Sequence, residues 1–395
     1  DLLKAKGAHY VDARWYPRED SNFLFMWNGN LKENNASSQS GIGVRVLYNG
    51  AWGFSASSDL SNPDAIFERA FDNARIASER VTFPIRLAEK EAIVGSFNSP
   101  NQIDPFTVGL DQKVAFLQKM DAALNQTGVI QRFGMLEFVR KQIIFLDSEG
   151  SEIEKNIIEV FPSIHAMGID KDGGMQRRKY APGRSGPTRG WESINEADFL
   201  ANAERIVSEL NQVLVAEDAP NGKMSVILLN GIMFLQTHET IGHALELDRI
   251  LGYELSFAGG SFVRLEDFGK LRYGSEKLTA RANALEPNSP GSFGFDDDGV
   301  PAQDNLLIDK GILVGAITGR QMVEEANAKA KKQIFEGSSG ANRATSFYRV
   351  PIERMTNINI DPGTDGSLED IIANTKYGIV LDGDRLLGPA QDQAQ

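Results

Sequence analysis

Apolar and polar positions sort this chain into strands, then helices, then strands again. Ala8 to Tyr16 alternates in part and predicts a strand, and Phe23-Leu24-Phe25-Met26-Trp27 predicts another. Val44 to Tyr48 and Ala51 to Ser55 flank Asn49-Gly50, a pair that tolerates the left-handed backbone of a two-residue hairpin turn. Asn62-Pro63-Asp64 then combines a capping side chain, a proline at the first helical position and a first-turn acid. Ile66, Phe67, Ala70, Phe71, Ala74 and Ala77 line one face of the helix that should follow. A second helix is expected near Gln112 to Leu124. A third, near Glu196 to Leu214, should bury Phe199, Ala203, Ile206, Leu210 and Val213. Met135 to Leu146 and Ile153 to Phe161 read as strands joined by a turn at Asp147-Ser148-Glu149-Gly150.

Two stretches break this pattern. Lys171 through Gly190 is rich in Gly and Arg and predicts a mobile loop. Glu217-Asp218-Ala219-Pro220-Asn221-Gly222 predicts a domain boundary. Beyond it, Met224 to Leu229 reads as a short buried strand and Asn230-Gly231 as a turn. Ile232, Phe234 and Leu235 open an apolar helix that runs through Leu245. Strands separated by Gly, Pro and Asp turns follow. The expected fold class is α+β. Residues 1–220 should form an α/β domain with a twisted sheet and helices, and residues 221–395 a β-rich domain carrying the apolar helix. A length of 395 residues with 41% hydrophobic content suits two cores.

That helix holds the chain's most chemical hexamer, His238-Glu239-Thr240-Ile241-Gly242-His243. Two imidazoles are common zinc ligands, and a carboxylate beside the first can act as a general base. Histidine pairs on helices are often surface or core features, but only four histidines occur in the chain. On a regular helix, positions i and i+5 diverge by roughly 140°. For His238 and His243 to meet, the turn must widen, most simply as a π-bulge, with Gly242 supplying backbone freedom. Glu246 and Asp248 either orient a ligand imidazole from behind or face solvent. His9 and His165 read as structural or exposed, with His165 a substrate contact if the N-terminal domain covers the cleft. Asp296-Asp297-Asp298 reads as a solvated turn or a cation site.

Charge narrows the partners. The 41 basic and 54 acidic residues give −13, which argues against nonspecific nucleic-acid binding. No apolar run approaches the ~18 residues of a membrane span, so no membrane partner is expected. The absence of cysteine excludes a disulfide framework.

The run from His238 to Ile250, followed by Phe257-Ala258-Gly259-Gly260-Ser261-Phe262-Val263, resembles the TldD branch of the TldD/PmbA family of zinc metallopeptidases. Gly41 to Phe54, Asp297 to Pro301 with Leu307 to Leu313, and Gly340-Ala341-Asn342-Arg343 are similar to further segments of that family in the same order. The resemblance implies Zn²⁺ held by His238 and His243, with Glu239 as general base in peptide hydrolysis. It also implies a homodimer, or a heterodimer with a PmbA-like subunit that lacks the motif. Gly340, Ala341, Asn342 and Arg343 are expected to bind the peptide backbone as an added strand. The family's third ligand is a cysteine near the C-terminus, and the chain contains none. It is therefore expected to be incomplete at both ends, with the third ligand distant in sequence. The expected compartment is the cytoplasm, unless an export signal has been removed. The alternatives are a non-catalytic peptide-binding subunit and an amidohydrolase acting on small substrates.

Overall fold

The computed structural model describes residues 2–182, 190–256 and 259–382. A short helix α1 (Leu2–Ala5) leads into β1 (Tyr10–Trp27), β2 (Asn30–Tyr48), β3 (Ala51–Ser57) and α2 (Pro63–Ser78). Next come β4 (Val94–Asn98), α3 (Leu110–Leu124), β5 (Gln131–Asp147), β6 (Glu152–Ile169), β7 (Met175–Tyr180) and α4 (Glu196–Leu214). The seven strands form one sheet in the order β3-β2-β1-β5-β6-β4, with β7 also on β6; the β4–β6 pair alone is parallel.

Local signals explain much of this. The Asn62 side chain accepts from Ala65 N at 3.3 Å, with Pro63 at the first helical position of α2. Asn195 caps α4 in the same way. Asn49 and Gly50 both take left-handed backbone, φ 46° and 78°, and close the β2–β3 hairpin. Ala77, expected on the inner face of α2, is exposed.

The two strands expected before residue 28 are one. Its register shifts around Pro17, between Tyr16 and Glu19 against β2. Proline cannot donate to the ladder, and a bulge is where a strand tolerates it. The extra residue swaps the faces. Asp12, Arg14 and Tyr16 are buried on one side of the sheet before it. After it, Leu24 and Met26 are buried on the other, beneath Phe116 of α3 and Phe199 of α4. The polar residues between the apolar runs are paired: Arg140 of β5 donates to Asp20, and Lys113 Nζ of α3 donates to Asn22 Oδ1 at 2.9 Å. The first half of β2, Asn30 to Ser40, is exposed on both faces, so no alternation marks it. Part of the expected loop after Lys171 is strand β7; residues 183–189 lie outside the described residues.

The remaining elements are shorter: β8 (Ser225–Leu228), α5 (Asn230–Thr237), α6 (Leu247–Leu251), β9 (Ala280–Asn283), β10 (Asp304–Asp309), β11 (Ile312–Leu313) and α7 (Arg320–Ala330). After these come β12 (Asn342–Arg343), β13 (Ile352–Glu353), β14 (Asn357–Ile360), α8 (Leu368–Asn374) and β15 (Gly378–Leu381). An antiparallel sheet, β11-β10-β9-β14, carries a core of Ala280, Ala282, Leu307, Ile308 and Leu313, onto which Ile241 and Leu245 of the histidine helix pack. Two expectations change here. The strand before the helix is half exposed rather than buried, pairing in parallel with β15 alone. Asn230-Gly231 opens α5 rather than turning, because the cap falls on Leu229.

Asp296, Asp297 and Asp298 form neither a solvated turn nor a cation site. All three are buried where the C-terminal segments lie on the large sheet. Asp298 pairs with Arg45 at 2.6 Å, and Arg45 also grips Asp12. Asp297 pairs with Lys155 and accepts from Ala344 N, and Asp296 accepts from Val300 N and Asn342 N. Buried charges persist only when matched in this way. Gly43 completes the seam: a Cβ there would lie 2.1 Å from Phe347 O, so only glycine admits that segment.

Candidate metal centre

The hexamer His238 to His243 begins where α5 ends. Residues His238–Gly242 form a π-turn, in which His243 N donates to His238 O, and His243–Leu245 then tighten into a 3₁₀ turn. The extra residue per turn cancels the angular offset of the i, i+5 spacing. The two imidazoles come together as a result, ring centroids 4.5 Å apart at 80°. Gly242 acts differently from the expectation. Its backbone stays right-handed, φ −53° and ψ −71°, so glycine's conformational freedom is unused. What matters is the missing side chain, since a Cβ would meet Met355 Sδ at 2.6 Å.

Behind His243 stands Glu246, fully buried. Its Oε2 accepts from His243 Nδ1 at 2.9 Å and Arg249 Nε at 2.7 Å, and its Oε1 accepts from Met355 N at 3.0 Å. Burial would raise this carboxyl, but the His243 hydrogen bond and the Arg249 and Arg354 charges hold it below the usual glutamate value. An ionised Glu246 accepts the His243 Nδ1 proton, the tautomer in which an imidazole turns its Nε2 lone pair to a ligand. His238 is pushed below the usual imidazole value by burial and then by His243, which favours its neutral form. Glu239 is exposed and makes no hydrogen bond or ion pair among the described residues.

Asp248 does not reach an imidazole. Its backbone N–H donates to Glu353 Oε2 at 2.7 Å, and its carboxylate accepts from Arg249 N. Burial and the nearby Glu246 charge raise its pKa to about 7. Glu353, which sequence reasoning missed, also accepts from Gly319 N and ties α6 to the start of α7. Nothing in its local sequence marks it.

Gly340, Ala341 and Asn342 are buried and engaged rather than open to a peptide. Arg354 N donates to Ala341 O, Asn342 N to Asp296 Oδ2 and Asn342 Nδ2 to Asp298 Oδ2, while β12 pairs with β13. Ala341 O, Asn342 N and Asn342 O, groups that an added strand would use, are already paired within the protein. Arg343 alone of the four is exposed, and the charges bearing on it include Glu159, Asp297, Arg354 and Glu246. His165 is buried, stacked on Phe133 at 4.0 Å, with Nε2 3.2 Å from Ser163 Oγ, which makes it a packing residue. His9 is exposed.

Zinc takes three or four protein ligands. Two adjacent imidazoles, one oriented by a buried carboxylate, fit part of such a set. Among the described residues, no group of three His, Cys, Asp or Glu side chains is placed to hold one ion.

Comparison with known proteins identifies the family. Residues 221–395 match the PmbA/TldA metallopeptidase C-terminal domain, and residues 14–74 match PmbA/TldA metallopeptidase domain 1. A metalloprotease of Methanocaldococcus jannaschii is 29% identical over 370 residues, covering 93% of this chain and 76% of that protein. A zinc metalloprotease TldD homologue of Saccharolobus solfataricus is 25% identical over 351 residues, covering 86% of this chain and 70% of that protein. The fold is also that of TldE from Thermococcus kodakarensis, with a TM-score of 0.70 at 16% identity over 97% of this chain and 81% of that one. By its domain matches, its relatives and its motif, the chain belongs to the TldD/PmbA family of metallopeptidases.

Proposed function

We propose that the protein is a zinc-dependent peptidase that hydrolyses short or unfolded peptides. The observation that carries this reading is the π-turn that brings the His238 and His243 rings together while Glu246 holds the His243 Nδ1 proton. His238 and His243 would hold the ion, with a third ligand distant in sequence. Zinc, when bound, lowers the pKa of a water towards neutrality and polarises a carbonyl. Glu239 supplies the base: its unpaired, exposed carboxylate takes the proton of the attacking water and delivers it to the departing amine. Arg343, the exposed member of its segment, would contact the peptide. The subunit would work as a dimer, with itself or with a motif-lacking partner, as membership of the family suggests.

Replacing Glu239 by Gln should keep zinc and lower peptide turnover by about 10²–10⁴-fold, the usual range for a general base. Wild-type turnover by full-length Glu239→Gln would exclude Glu239 as the base. A second reading draws on the two-imidazole donor set: a peptide-binding subunit that does not cleave. Stoichiometric zinc in full-length protein, lost in His238→Ala, supports the enzyme. No uptake in excess zinc supports the binding subunit.

A further inference from the structure

A π-turn frees backbone groups from the helical ladder and needs outside help to persist. Two hydroxyls supply that help on the exposed side of the motif. Thr240 Oγ1 donates back to Gln236 O at 2.6 Å, where α5 gives way to the widened turn. Tyr273 Oη donates to Thr240 O, in the middle of the widened turn. Tyr273 is itself anchored. Its N–H donates to Gly311 O at 2.7 Å beside the β10–β11 hairpin, and its ring packs on Phe262 at 5.4 Å. Ser261 Oγ donates to Ala244 O at 2.6 Å and closes the end of the motif. The helix is thus pinned to the antiparallel sheet at the one place where its geometry departs from an α-helix.

We propose that Tyr273, acting with Thr240, is a positioning residue that holds the widened turn and so sets the approach of the two histidine rings. This inference rests on the zinc reading above. Neither hydroxyl is needed to satisfy a buried group, because Thr240 is exposed and water would accept the vacated role. The bond therefore contributes register rather than rescue. Without it, the turn can relax towards an α-helix, in which His238 and His243 diverge by roughly 140°.

The test uses full-length protein: wild type, Tyr273→Phe, Thr240→Val and Thr240→Ser. Zinc affinity is measured by competition with a chromophoric chelator, cobalt(II) substitution reads ligand geometry from the visible d–d bands, and melting of the metal-free protein controls for folding. Tyr273→Phe and Thr240→Val should bind zinc about 10-fold more weakly, in the range seen when groups supporting ligands are lost, and should shift the cobalt bands. Thr240→Ser keeps its hydroxyl and should match wild type. A Tyr273→Phe protein with unchanged affinity and bands overturns the proposal, even if it melts at lower temperature. If Tyr273→Phe does not fold, Thr240→Val decides by the same criterion. A wild-type protein that takes up neither zinc nor cobalt sinks the zinc reading itself, an outcome distinct from a wild type that binds and a variant that binds equally well.

Discussion

Replacing Glu246 by Gln changes one atom's identity and removes one charge, and the structure shows why the protein cannot absorb it. The carboxylate accepts on both sides: Oε2 from His243 Nδ1 and Arg249 Nε, Oε1 from Met355 N. An amide has one accepting oxygen. If that oxygen faces His243 and Arg249, the NH₂ group meets the Met355 N–H, donor against donor. If it is flipped, the NH₂ meets Arg249 Nε–H and His243 Nδ1, and the imidazole must move its proton to Nε2, the nitrogen a metal would use. Both orientations bury an unsatisfied donor at a position with no solvent exposure, which costs about 1–3 kcal/mol. Zinc affinity should fall about 10–100-fold, or about 1.4–2.7 kcal/mol. Chelator competition on full-length protein gives the affinity, and urea melts of the metal-free form give the stability. Wild-type zinc affinity in a folded Glu246→Gln protein would refute the claim that this carboxylate orients His243.

Two further predictions concern the scaffold. Burial would raise the Asp297 carboxyl, but Lys155 and Arg14 take it down to about 2, below the ordinary aspartate value of 3.8. A depressed acid stabilises above its unfolded pKa and loses that contribution as pH falls through the folded one. About 2 kcal/mol should therefore disappear between about pH 4 and pH 2. Urea melts across that window should be flatter in Asp297→Asn than in wild type, and equal slopes would remove Asp297 from the acid sensitivity. At Gly53, an added Cβ would lie 2.0 Å from Ala70 O and 2.2 Å from Ala74 N, both backbone atoms of α2. Gly53→Ala should destabilise by at least the 1–3 kcal/mol of ordinary overpacking; an unchanged denaturation midpoint would show that α2 can shift freely.

Sequence alone determined what short-range chemistry dictates. The cap of α2 and the apolar faces of α2 and α4 were legible because a capping side chain and a 3.6-residue period act within one helix. The Asn49-Gly50 hairpin was legible because few residues tolerate two successive left-handed conformations. The need for a widened turn between His238 and His243 follows from helix geometry alone. Tertiary structure decided the rest, because burial and pairing are properties of neighbours distant in the chain. Asp296 to Asp298 look like a solvated turn until Lys155 and Arg45 are set against them, 142 and 253 residues away in sequence. Asp20 and Asn22 look like a break between strands until Arg140 and Lys113 satisfy them. Glu246 and Asp248 were equal candidates by spacing. The extended cap before α6 and the reach of Met355 N separated them, giving His243 to Glu246 and leaving Asp248 to Glu353. The same reach across the fold places the Tyr273 hydroxyl on Thr240 O, a contact that no pattern within either segment encodes.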